Sequence, residues 1–436
     1  MNFSGAKGEV KLITLDPGHF HASLVQKFMY DQVDPTVHVY APEGPDVQNH
    51  LATIDGFNER AENPTTWSEV VYTGPDFMEK LLSEKAGNVV VIAGNNRKKT
   101  EYILDAVKAG LNVLADKPMV IQPEAFAQLE EAFATAEKNG VLLYDIMTER
   151  YEISTILQKE LSHIPEVFGE LQTGTEAEPA VTKESVHHFS KEVAGKPLIR
   201  PAWFFDVTQQ GEGMVDVMTH LVDLIQWECF PEQILDYRTD IKIQSVSRWG
   251  TELTPSMFEK VTGLTSYPDY LNGVLKNDSV LDVFANGEIN YTLRGIHAKT
   301  SVIWNFEAPA GAKDTHYSMM RGTKCNLVIR QEAEQNYQAS LYAEPLPGQD
   351  VAAFETALRT ALQQLSGKYP GLELFPSEKG FEVVIPDNFK VGHEAHFAQV
   401  TERYLQYLVD GKLPDWEVPN MLAKYYTTTE AFKMGR

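Results

Sequence analysis

The chain has 436 residues, 43% hydrophobic and 23% charged, an ordinary soluble balance with room for two domains. Thirty-eight Lys and Arg against 61 Asp and Glu leave a net charge of −23, which argues against nucleic acid and anionic membranes as partners. Cys229 and Cys325 form no disulfide framework and no metal-ligand spacing. No apolar run is long enough to span a membrane. The polar start MNFSGAKGEVKL carries no export segment, so the expected location is the cytoplasm unless such a signal has been removed.

Residues 11–147 alternate strand-like and helix-like segments. Strands are expected at Lys11–Leu15, His38–Ala41, Val70–Tyr72, Asn88–Gly94, Asn112–Ala115 and Val141–Met147. Helices are expected at His21–Tyr30, Lys98–Gly110 and Pro123–Asn139. This alternation predicts an α/β domain over 1–149, a doubly wound parallel sheet of Rossmann type. Ligands of such sheets sit at the carboxyl ends of the strands. The loops there are DPGHFHA (16–22), AGNNRK (93–98) and ADKPM (115–119).

From about Tyr151 the pattern changes. Val167–Thr175 predicts a strand. Gly211–Trp227 reads as a mostly apolar helix with Asp216, Thr219, His220 and Asp223 on one stripe. Long alternating runs follow at Asp236–Trp249, Val280–Phe306, Thr315–Gln331 and Gln338–Ala343. They predict one open, mainly antiparallel sheet, with Asn286-Gly287 as a hairpin turn. Val351–Leu365 and His393–Asp410 read as helices, the second closed by Gly411, and Gly380–Pro386 as a last strand. The second domain is therefore expected to be α+β, over 150–436.

Three stretches carry candidate chemistry. A dinucleotide loop uses G-x-G-x-x-G; here that register gives Asp16, Gly18 and His21, so only the middle glycine is kept. The loop is either a modified dinucleotide site or a plain tight turn. At the end of the second strand, Glu43 is the nearest carboxylate. Asp116-Lys117-Pro118 puts an ammonium at the sheet's ligand edge. On the 211–227 segment, Asp216 and His220 make either a satisfied polar seam or a catalytic one.

On these residues the chain resembles the glucose–fructose oxidoreductase / inositol dehydrogenase family. Asp116-Lys117-Pro118, after AGLNVLA, matches the family's E-K-P motif. Gly211-Glu212-Gly213, Asp216 and His220 match its G-G-G-x-x-x-D-x-x-x-H helix in a form one residue shorter. Trp203 and Gly411-Lys412-Leu413-Pro414 also have the family's look. The resemblance covers roughly 9–330 and 392–434, and 345–390 reads as an insertion.

The resemblance implies a nicotinamide cofactor, NAD or NADP, and hydride transfer to or from a sugar, cyclitol or sugar derivative. It implies Lys117, Asp216 and His220 as catalytic residues. It puts Asp16, Gly18, His19, Phe20, Asn95, Asn96, Asp116 and Lys117 against the cofactor, and Glu149, Tyr151, His188 and Trp203 toward the substrate. His220 or Lys117 is the base, with imidazole's ordinary pKa favouring His220. His187 and the Phe204-Phe205 pair are further sugar-facing candidates. A metal held by Asp216, His220, Asp223 and His187 or His188 is weighed and not expected. Two other readings stay open: glycoside cleavage through a transient keto-sugar, and a ligand-binding relative without cofactor. The long alternating strands are expected to find cover in a homodimer or homotetramer.

Overall fold

The computed structural model describes residues 3–193 and 196–436. Six short strands form a parallel sheet: β1 (Leu12–Leu15), β2 (Thr36–Ala41), β3 (Ser68–Thr73), β4 (Val89–Ile92), β5 (Asn112–Asp116) and β6 (Leu143–Ile146). Their order is β3-β2-β1-β4-β5-β6. The all-apolar strand Val89–Ile92 is buried along its whole length, as a strand covered on both faces must be. The covering helices include α1 (His21–Leu24), α2 (Pro45–Glu59), α3 (Phe77–Glu84), α4 (Lys99–Lys108) and α5 (Phe126–Asn139).

Helix α1 is much shorter than the expected His21–Tyr30. Trp67 Nε1 donates to the Gln26 carbonyl at 2.5 Å, and Arg60 donates to that of Lys27 at 2.6 Å. A continuing helix would need those oxygens for its own i→i+4 bonds.

Chain contacts divide the protein into two units. The first is Met1–Thr148 with Trp203–Gly211 and Gly392–Thr429; the second is Glu149–Ala202, Glu212–Val391 and Glu430–Arg436. Two later segments thus belong with the parallel sheet, where a single cut at 149/150 assigns them to the second domain. Buried chemistry explains the longer of them. Asp145 on β6 is 1% exposed and would be an isolated carboxylate without Lys424 Nζ at 2.7 Å and the Tyr425 hydroxyl at 2.7 Å. Tyr144 beside it stacks on Tyr404 of the helix His393–Asp410.

The second unit is built on a mixed sheet. Its strands run in the order Ile241–Leu253, Val280–Leu293, Ile296–Glu307, β7 (Val181–Ser190), Thr315–Arg321, Cys325–Gln331, Ser340–Pro345, Gly380–Val384, Glu373–Ser377. Neighbours are antiparallel except Ile296–Glu307 and β7, which pair in parallel. Helices α6 (Ile153–Ser162) and α7 (Met218–Cys229) pack on this sheet. The 345–390 stretch lengthens it at one edge and adds the helix Val351–Leu365.

Three sequence expectations fail here. Val167–Thr175 forms turns and isolated bridges rather than a strand. The hairpin turn falls at Arg294 and Gly295, both at positive φ, because Asn286 is needed inside the strand. There its amide donates to Trp249 O and Thr251 Oγ1 and accepts from Trp304 N. Helix α7 begins only at Met218, so Asp216 lies on the turn before it. Gly213 explains that turn's sequence: a Cβ there would stand 1.8 Å from the Ala285 carbonyl oxygen.

The sheet also carries charge ladders at partly exposed positions, with Lys299 between Glu184 and Glu288, and Arg330 on Glu344. These weaken the apolar-cover argument for an oligomer. No helix among the described residues is long and apolar enough to cross a membrane.

Candidate active site

In the first unit, the loop after β1 keeps the middle glycine of the dinucleotide pattern and replaces the first and third. Asp16 stands where the first glycine would and adopts φ 46°, a left-handed conformation that Asp tolerates better than most residues. Burial raises its carboxyl to about 6, against a 3.3 Å bond from the Tyr102 hydroxyl. Gly18 is held by space: a Cβ would come within 3.0 Å of Asp46 Oδ2 and 3.2 Å of Trp203 Cζ2. The Gly18 and His19 amides both donate to the Ala93 carbonyl, at 3.3 and 3.2 Å. Phe20 is exposed.

Beyond the loop, Asp116 at the end of β5 is buried and accepts from or shares a proton with His21 Nδ1 at 2.9 Å. His19 Nδ1 lies 3.9 Å from the same oxygen, and His393 Nε2 is 3.1 Å from His21 Nε2. Burial opposes ionisation of Asp116, but His21, Lys99 and His19 outweigh it and hold the carboxyl far below its ordinary range. Burial pushes His19 well down, and His393 to about 3. Lys117 follows, half-buried, with a cis bond to Pro118.

The segment 203–211 explains the two asparagines. Asn95 Nδ2 donates to Gln209 Oε1 at 2.6 Å, and Asn96 donates through Nδ2 to the Gln210 carbonyl at 2.7 Å. Both amides therefore hold that segment on the sheet. Trp203, expected toward the substrate, packs in this first unit over Gly18 and donates from Nε1 to Asp46 at 2.8 Å. Asp46, not the exposed Glu43, is the carboxylate beside the loop.

In the second unit, His220 on α7 lines a cavity of about 190 Å³. Glu149, Glu152, Ser185, His187, Asp314, His316 and Gln331 supply its polar walls, and Val217, Leu221 and Leu224 an apolar side. His187 stacks on Trp304 at 4.8 Å. Burial would raise Asp314, but His187 and the Lys191 ammonium at 2.6 Å outweigh it and hold the carboxyl well below its ordinary range. Burial lowers His316 to about 3, so it is neutral near pH 7.

Of the expected second-unit residues, Glu149 and His220 share the cavity, whereas Tyr151, His188 and Asp216 are not among its lining. His188 Nδ1 pairs instead with Asp314 at 3.0 Å, and Asp216 lies in the field of Arg200. Asp223 is committed to Arg150 through two 2.7 Å bonds, which removes it from the weighed metal set. Asp46, Glu152, Asp314, His316 and His393 were not marked in the sequence. Asp314 sits in a loop with no periodicity to mark it.

A six-stranded parallel sheet ordered 3-2-1-4-5-6, with a glycine floor at the β1 edge and a carboxylate just past β2, is a dinucleotide-binding fold joined to a mixed-sheet domain. The family models agree. "Oxidoreductase family, NAD-binding Rossmann fold" matches residues 18–145, and "Putative oxidoreductase C terminal domain" matches 157–436. The chain belongs to the glucose–fructose oxidoreductase / inositol dehydrogenase (Gfo/Idh/MocA) family of NAD(P)-dependent oxidoreductases. A crystal structure from Parabacteroides merdae, described as a putative oxidoreductase, is 58% identical, with TM-score 0.98 over 100% of this chain and 99% of that one. Two more distant structures share the fold. A levoglucosan dehydrogenase in complex with NADH and levoglucosan is 11% identical, with TM-score 0.58 over 98% of each chain. KijD10, a 3-ketoreductase from Actinomadura kijaniata with NADP, is 13% identical, with TM-score 0.59 over 98% of this chain and 97% of that one. No curated protein sequence matches the chain.

Proposed function

We propose that the protein oxidises or reduces a carbinol carbon of a sugar, cyclitol or sugar derivative. The observation that carries this reading is the His220 cavity, polar on several sides and apolar on one, which suits a polyol ring. Two neighbours of the same fold, named for levoglucosan and for 3-keto reduction, support the substrate class.

Gly18 and Asp46 fit a dinucleotide, as side-chain-free floor and ribose-binding carboxylate; breaking the Asp46–Trp203 bond would free that carboxylate. NAD(P), when bound, takes up or gives the hydride. A carbinol hydride leaves only if the hydroxyl proton leaves too. His220 takes that proton in oxidation and returns it in reduction. From the family resemblance, Lys117 is the other candidate for that base, and Asp216, outside the lining of the His220 cavity, is kept as a proposed positioning residue.

A second reading has its own support. Glu149, Glu152 and His187 line the same cavity as His220, more acid–base groups than a simple dehydrogenase needs. Such a surplus suits glycoside cleavage, in which oxidation acidifies a neighbouring carbon, a base removes its proton and the aglycone leaves.

The test has two stages. Denatured protein is checked for released NAD(H) or NADP(H), and native protein is titrated with both. Sugars, cyclitols and glycosides are then assayed for net nicotinamide turnover and for aglycone release. Accumulating reduced cofactor with one keto product supports the dehydrogenase; aglycone release without net redox supports cleavage. Absence of cofactor binding and of both activities would overturn the reading. A homo-oligomer through the second unit's sheet remains our proposal, and a monodisperse monomer in light scattering would refute it.

A further inference from the structure

We propose that His19, His21 and Asp116 bind one divalent transition-metal ion of the zinc–iron class at the carboxyl edge of the parallel sheet. This goes beyond the hydride chemistry and does not depend on it.

The geometry is the first argument. His19 and His21 offer two imidazoles from one short loop, and β5 delivers Asp116 to the same point. One ligand atom from each lies within 4.8 Å of the other two. Asp116 Oδ2 is 2.9 Å from His21 Nδ1 and 3.9 Å from His19 Nδ1. Around an ion with bonds of 2.0–2.2 Å, neighbouring ligand atoms stand roughly 2.9–3.4 Å apart. Bringing His19 Nδ1 into that range of Asp116 Oδ2 needs a shift of roughly half an ångström in the partly exposed His19 ring.

The donor set is the second argument. Two imidazoles and one carboxylate, with positions left open, hold catalytic zinc and non-haem iron in unrelated proteins. One of these ligands also has a partner behind it. His393 Nε2 lies 3.1 Å from His21 Nε2; with His21 carrying its proton on Nε2 and donating it to His393, His21 Nδ1 is the nitrogen that ligates.

The dinucleotide fold asks for a small residue at position 21, and this chain pays for an imidazole there. A hydrogen-bonded chain from Asp116 through His21 to His393 would account for two of the three rings. It leaves His19 with a 3.3 Å bond from the His21 amide and a 3.9 Å approach to Asp116, neither of which needs an imidazole at that position.

The experiment uses full-length protein purified without a histidine tag, stripped by chelator and kept free of nicotinamide. Co2+ uptake is followed by visible absorption and equilibrium dialysis, and native metal by elemental analysis. One ion per chain is expected, with Co2+ bands of a nitrogen- and oxygen-ligated site. H19A and D116N should lose binding, while H393A should weaken it about 10- to 100-fold and keep the stoichiometry. Circular dichroism controls for folding, and H19A, with its ring partly exposed, is the variant expected to keep its fold. Wild-type protein that takes up neither Co2+ nor Zn2+ would overturn the proposal. So would H19A and D116N variants that bind as wild type does, and either result leaves the hydride reading standing.

Discussion

Lys183→Met should destabilise the protein by an amount that depends on pH. Lys183 lies on β7 and Glu228 on α7, both fully buried, with Lys183 Nζ 2.8 Å from the carboxylate. Lys183 also donates to Ser318 Oγ at 2.7 Å. Burial already raises the Glu228 pKa, with Lys183 opposing it. Without the ammonium, the cheapest escape for Glu228 is to take up a proton. From an ordinary value of 4.5, that means two and a half pH units at pH 7. At 1.36 kcal/mol each this is about 3.4 kcal/mol, within the ~3–5 kcal/mol known for breaking buried pairs. A carboxyl whose folded pKa is raised contributes its stability below its ordinary value and loses it as pH rises. The deficit of the variant should therefore grow between pH 6 and 7.5, by at most about 2 kcal/mol because Glu228 is already raised in the wild type. Urea unfolding at both pH values measures it. The double variant K183M/E228L should regain most of the loss, since an apolar pair of similar volume needs no compensation. A loss below about 1 kcal/mol, or one that does not change with pH, would refute the reasoning.

His220→Gln and Lys117→Met should each lower turnover about 100- to 10,000-fold with unchanged circular dichroism, measured on the substrate found by screening; wild-type-like rates in both would end the catalytic assignment. Gly213→Ala should cost about 3 kcal/mol, because the strand carrying Ala285 must move away from a Cβ at 1.8 Å. Calorimetry should show a clear fall in Tm, and an unchanged Tm would mean the turn relaxes freely. Neither cysteine should react quickly with a disulfide reagent at pH 8 without denaturant. Burial pushes Cys325 up to about 12 and Cys229 higher still, so little thiolate exists to attack.

Much of the fold was legible because it follows from periodicity. The helices Val351–Leu365 and His393–Asp410 fall where their apolar spacing puts them, and β4 is plain from NVVVIAG alone. What sequence could not show is governed by partners far along the chain. Helix α1 stops where Trp67 and Arg60 claim its carbonyls. Asn286-Gly287 has the composition of a turn, yet Asn286 serves three bonds inside a strand. Lys117 and His220 could be read from local motifs. Asp314 and His393 could not, because nothing in their neighbours in sequence records which cavity or imidazole they meet in space.

The way Asp145 is neutralised has a consequence for synthesis on the ribosome. The strand bearing it is made first, and its partners Lys424 and Tyr425 follow about 280 residues later. Until then β6 holds a carboxylate without its cation, and the face of Tyr144 lacks the rings of Tyr404 and Tyr407. A nucleotide-binding domain that usually matures as soon as it is made is here obliged to wait for the segment Gly392–Thr429. A nascent chain stalled short of Lys424 should accordingly be protease-sensitive in its first 148 residues, and a fragment ending at Thr148 should not make a sound starting point for isolating the parallel sheet.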